Sequence, residues 1–233
     1  MKIQYWSHFI FFTLFAGFAS AQLSTNHILT FHPCFDKSAL SLNDSIYKLA
    51  NDDSIQFGKL KFYISGIELL NSNSVVWKED NSYHLVDASE KNSKNIILKV
   101  PLNKSFDKIK FYLGIDSITN TSGAMGGDLD PTKGMYWTWQ NGYINFKLEG
   151  KSNRCKTRNN EFEFHLGGYQ YPNNAIQTII LNISSSDQTD IFLDIEKLIN
   201  KIDLSKVNHI MSPGKEALLI SKNASDIFSV ISK

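Results

Sequence analysis

The sequence has 233 residues, of which 42% are hydrophobic and 20% charged, with a formal net charge of +1. So even a balance gives no ground for a nucleic-acid or anionic-membrane partner, and the apolar share is that of a globular chain with a core of its own. No segment after the N-terminus holds enough consecutive apolar residues for a membrane span.

At the N-terminus Lys2 precedes the apolar run Phe9 to Phe18 and then Ala19-Ser20-Ala21, an A-x-A site ahead of Gln22. The pattern reads as a secretory signal peptide over 1–21, cleaved after Ala21, because the run is too short to span a bilayer comfortably. The cysteine that marks a lipoprotein is missing from that site. The mature chain, 22–233, is expected to be exported, periplasmic or secreted, not membrane-spanning, and folded as a single domain.

Ile28 to His32 reads as a short strand ended by Pro33, and 43–51 as a polar connection or a strand around Ile46, Tyr47 and Leu49. Leu60 to Ile64 alternates apolar and polar, and Ser65-Gly66 then shifts the phase so that Ile67 and Leu69 continue the apolar face, the sign of a β-bulge. Val75 to Trp77, Tyr83 to Val86 and Ile96 to Val100 are further short strands. Ile109, Phe111, Leu113 and Ile115 alternate with Lys108, Lys110, Tyr112 and Gly114, a strand with one buried face.

That strand feeds a Gly- and Asp-rich stretch, 118–134, whose composition favours turns over helix; loops of this length are usually functional or disordered. Beyond it Trp137 and Trp139 project to one side of an extended chain, and Ile144, Phe146 and Leu148 form another strand. Glu161 to Leu166 and Ile176 to Ile183 add two more. Helix is expected only at the end, over 194–202, over 214–221 entered through Ser212-Pro213, and over 223–230. The fold class is all-β, an antiparallel β-sandwich with short C-terminal helices.

Chemistry-bearing residues are few. His165 shares the polar side of its strand with Glu163, which could hold the imidazole in place. His84 lies between Tyr83 and Leu85. His32 stands two residues from Cys34 and His209 two from Met211, pairs of donors that copper accepts. Cys34 and Cys155 leave three readings open: a long-range disulfide, two free thiols, or Cys34 as a soft ligand beside His32. Asp116, Asn120, Asp128 and Asp130 bring oxygen donors to one loop, which would suit calcium, although the spacing matches no EF-hand and turn-forming Asp explains them without an ion. The chain has no Gly-x-Ser-x-Gly, H-E-x-x-H, P-loop or C-x-x-C, so a binding protein is expected here, not an enzyme.

Several motifs run together in order: Lys61-Phe62-Tyr63-Ile64-Ser65, Tyr83-His84-Leu85-Val86-Asp87, Leu113-Gly114-Ile115-Asp116-Ser117, Leu129-Asp130-Pro131, Gly134-Met135-Tyr136-Trp137-Thr138-Trp139-Gln140, and Phe164-His165-Leu166-Gly167. In these the chain resembles the MbnP-like copper-binding protein family, in the branch common in Bacteroidetes. The resemblance implies a periplasmic or surface protein that captures copper, in some members through His together with a Trp oxidised to kynurenine. It also implies a di-haem peroxidase-like protein or an outer-membrane transport protein as partner. His165 matches the family's His-Leu-Gly histidine and Trp137 and Trp139 its Trp-x-Trp pair, with His84 and His32 as further ligand candidates by position. The four-Cys pattern of some members is missing. The competing reading is a non-metal binding module that presents Trp137, Trp139, Tyr136 and Tyr143 to a glycan, peptide or protein; a third makes the chain an accessory substrate of a redox enzyme.

Overall fold

The computed structural model describes residues 23–184 and 186–231; the expected signal peptide lies outside the described residues. In chain order come β1 (Ser24–Phe35), β2 (Ser38–Ala39), β3 (Tyr47–Lys48), β4 (Ser54–Asn71), β5 (Ser74–Lys78), β6 (Tyr83–Asp87), β7 (Asn95–Pro101) and β8 (Lys108–Leu113). Then follow α1 (Ser117–Thr121), β9 (Tyr136–Trp137), β10 (Gly142–Ser152), β11 (Glu161–Gly167), β12 (Gln177–Asn182) and β13 (Gln188–Asp194). The chain closes with α2 (Ile195–Ile199), β14 (His209–Ile210), α3 (Lys215–Ser225) and β15 (Phe228–Val230).

Two sheets form a sandwich, as the strand pattern predicts. The larger runs β12-β8-β4-β10-β11-β14, with β3, β5 and β6 also on β4 and β9 on β10; the smaller runs β15-β13-β1, with β2 and β7 also on β1. Most pairs are antiparallel, but β1 with β13 and β11 with β14 are parallel. Four phenylalanines, two from each sheet, hold the layers together in a ring of edge-to-face contacts. Phe31 meets Phe62 at 5.9 Å and Phe111 at 6.2 Å, and Phe228 meets the same two at 6.0 and 5.8 Å. The bulge expected at Ser65-Gly66 is present as a register shift between β4 and β8, with Gly66 at φ 57°.

Some local expectations fail for identifiable reasons. Pro33 does not end β1. Its carbonyl accepts the Leu40 amide at 2.9 Å, on the edge that β7 has vacated after Thr30, so the missing Pro N–H falls where no ladder needs it. The loop opens with α1, capped by the Asp116 side chain on the Thr119 amide. At the C-terminus one helix, α3, runs through Ser225, and Phe228–Val230 is a strand that pairs β13 where a second helix was expected. Cys34 and Cys155 are both free thiols. Among the described residues no helix is long and apolar enough to cross a membrane.

His27 of β1 is buried; its Nδ1 bonds the Ser186 carbonyl and its Nε2 the Thr189 hydroxyl at 3.1 Å. Burial lowers its pKa below the ordinary 6.5. The unfolded chain therefore takes up this proton at a higher pH than the folded one. Stability from this group is full above about pH 6.5 and declines as the pH falls below it. Urea midpoints at pH 7.5 and 5.5 should show that decline in the parent protein and a smaller one in His27→Gln.

Candidate functional site

The outer face of the larger sheet, turned away from the smaller one, is half apolar and half charged. Its apolar half is covered by the chain between β8 and β10. Tyr63, Leu85, Ile115, Leu129, Met135, Trp137, Tyr143 and Ile144 form a second hydrophobic cluster there, separate from the main core. Polar side chains tie the cover down. Asn120 is buried, donates to the Ile115 and Asp116 carbonyls at 2.9 and 3.0 Å, and accepts the Tyr143 amide at 2.8 Å. The Tyr63 hydroxyl donates to Asp128 O at 3.0 Å and that of Tyr143 to Leu129 O at 3.1 Å.

These bonds also dispose of the four oxygen donors considered for calcium. Asp116 caps α1 and accepts from Tyr83, Asp128 accepts from the Leu85 amide and Lys133, and Asp130 caps the turn at Thr132. Each carboxylate is engaged locally, and the calcium reading finds no support. Among the described residues no group of three or more His, Cys, Asp or Glu converges on a metal position.

The charged half is a cross-strand ladder. One row runs Asp87, Lys61, Lys147, His165 across β6, β4, β10 and β11; the next runs Lys59, Glu149, Glu163, His209. Glu149 joins the rows: it accepts His165 Nε2 at 2.8 Å and Lys59 Nζ at 2.9 Å. The His165 hydrogen bond, with help from Lys59, holds the Glu149 carboxyl down at about 2 despite burial. Lys147 donates to Gly134 O at 2.6 Å and stands 3.9 Å from Glu149, and burial lowers its pKa. Glu163, the expected partner of His165, instead meets His209 at 3.1 Å.

His165 is only 6% exposed, and its Nδ1 is buried without a hydrogen-bond partner. The same is true of Nε1 of Trp137, 4% exposed. Trp137 packs on Gly167, which shares the face of His165 two residues on. A Cβ at 167 would lie 2.7 Å from Trp137 Cζ3 and 2.7 Å from Tyr143 O, so only glycine lets the indole lie on the strand. The His-Leu-Gly and Trp-x-Trp motifs thus meet in space.

The other candidates lie elsewhere. His84 is three residues from Asp87 on β6, hence on the opposite face of the sheet from His165, and bonds Glu79 at 2.7 Å. His32 is on the smaller sheet, bonded to Asp190 at 2.8 Å and stacked on Phe192. Trp139 is not part of an extended run with Trp137. It sits in the turn after the two-residue β9, 64% exposed, its ring 6.0 Å from that of Trp137. An aromatic platform of Trp137, Trp139, Tyr136 and Tyr143 does not form, because Trp137 and Tyr143 are inside the second cluster. Sequence reasoning missed Glu149 and Lys147, and read Gly167 only as part of the His-Leu-Gly motif. The alternation of Lys147 and Glu149 with Phe146 and Leu148 was the available signal, but the register that places Glu149 under His165 is a property of the assembled sheet.

A two-sheet β-protein with one outer face roofed by a long loop that carries a buried Trp, and with a buried His on the same face, defines the structural class. The chain belongs to the MbnP family, whose model, described as MbnP, matches residues 24–212. Among solved structures it is similar to MbnP from Methylosinus trichosporium, with 13% identity, 82% of this chain and 83% of that one covered, and a TM-score of 0.60. At that identity the likeness speaks for the fold. No curated protein matches the chain.

Gly167→Ala should push Trp137 off β11 and destabilise the protein by about 1–3 kcal/mol. Urea unfolding measures the loss, and a red-shifted Trp emission in the native state should accompany it.

Proposed function

We propose that the chain is an exported copper-binding protein, which captures copper and hands it on without turnover, and that His165 anchors the ion. One ring carries this proposal. Glu149 accepts the Nε2 proton, which leaves the Nδ1 lone pair of a buried imidazole with no protein partner. An orphaned buried acceptor costs about 1–3 kcal/mol, and a metal ion in that position removes the cost. A carboxylate behind the imidazole is also what orients a ligating His and raises its basicity. Imidazole is a donor that copper accepts, and family membership supports copper as the cargo.

Trp137 is the neighbour from which a second donor would come. Oxidation to kynurenine, the modification that the resemblance implies for some members, would open its indole into an aryl amine and a ketone. His84 and His32 lie on other faces and stand outside this site. Export to the periplasm or beyond, which rests on the signal-peptide pattern over 1–21 and on the resemblance, and a di-haem peroxidase-like or outer-membrane transport partner, which rests on the resemblance alone, are parts of the same proposal.

Anaerobic competition against a chromophoric cuprous chelator tests it. His165→Ala should weaken binding by about a hundredfold or more, and Glu149→Gln by about 10–100-fold, whereas His84→Ala and His32→Ala should match the parent. Unchanged affinity in His165→Ala would overturn the assignment.

A further inference from the structure

Charge is distributed unevenly in this chain. Although 20% of its residues are Asp, Glu, Lys or Arg, none occurs over 117–127, 134–146 or 166–186. Residues from these three stretches line two open clefts at one end of the sandwich. One, of about 320 Å³, includes Gln140, Gln170, Tyr171 and Asn173; the other, of about 510 Å³, includes Thr121, Tyr136, Thr138 and Asn141. Tyr169 lines both, so the two adjoin. No residue lining either is charged, whereas three other clefts among the described residues have charged side chains in their walls.

Large aromatic rings stand open beside this neutral wall. Tyr171 is 98% exposed and Trp139 64%, and Trp139 lies in the chain between Thr138 and Gln140, one from each cleft. Trp139 is offered to solvent although its ring lies 6.0 Å from that of Trp137, a member of the second hydrophobic cluster. Trp137, two residues before Trp139, is taken into it.

We infer that this end of the molecule binds a neutral carbohydrate chain. A sugar ring presents an apolar C–H face, which a flat exposed aromatic covers, and a rim of hydroxyls that both donate and accept. Side-chain amides also do both, so Gln140, Asn141, Gln170 and Asn173 match vicinal hydroxyls in a way that carboxylates and ammonium groups, each limited to one role, do not. An uncharged wall avoids the cost of stripping water from ions for which a neutral ligand has no counter-charge. Clefts of this volume suit single sugar units, and two side by side suit a short oligosaccharide segment. The inference does not rest on the copper reading: it uses other side chains of the loop and would hold for a metal-free protein. It would attach an exported protein to a glycan surface.

Affinity electrophoresis in native gels containing dextran, laminarin, xyloglucan or galactomannan tests it on the full mature chain. At least one gel should retard the parent protein. Trp139→Ala and Tyr171→Ala, both exposed and outside the core, should each weaken that retention by about tenfold, with unchanged circular dichroism. Binding of the retarding glycan should also shift the Trp emission of the parent. No retardation in any of the four gels would overturn the inference, and retention that survives the Trp139→Ala, Tyr171→Ala double variant would overturn it equally.

Discussion

The structure depends on covering a second apolar surface. A β-sandwich buries one face of each sheet against the other, but the larger sheet here also carries Tyr63, Leu85 and Tyr143 on its outer side. Such a surface left open would invite association. The chain between β8 and β10 closes over it, and because this cover is itself backbone-rich it needs polar anchors; Asn120, with all its amide bonds directed to main chain, is the most fully used of these. The roof positions Trp137, and Trp137 in turn requires a glycine at 167. The burial of Trp137 is therefore a consequence of how the roof packs.

Beside the roof, the other half of the same face is ordered by charge. Adjacent rows of the ladder place Glu149 between Lys59, Lys147 and His165, and the carboxylate keeps its charge through acidic conditions because the imidazole and the Lys59 ammonium both donate to it. Glu149 fixes the His165 tautomer by accepting at Nε2. The other nitrogen is buried without a polar partner.

Much of this was legible in the sequence, and the remainder was not for physical reasons. β4, β8, β10 and β11 announce themselves because one face of each is apolar and the other polar. β13 does not: its inward positions are Thr189, Ile191 and Leu193, and it pairs in parallel with a strand some 160 residues away, so no local turn signals it. The order of α3 and β15 was misread because Ile227 and Phe228 fit a helical stripe as well as a strand edge. His165 and Trp137 were legible as motif residues. Glu149 was not, since its contact with His165 crosses from one strand to the next and follows only from the register.

The most direct test of the central claim is the ¹⁵N chemical shift of the two His165 ring nitrogens, followed while cuprous ion is added anaerobically to the mature protein. The account predicts that Nδ1 moves to the shift of a metal-bound nitrogen at one equivalent while Nε2 stays protonated on Glu149. Copper uptake at one equivalent with both His165 resonances unmoved would contradict it.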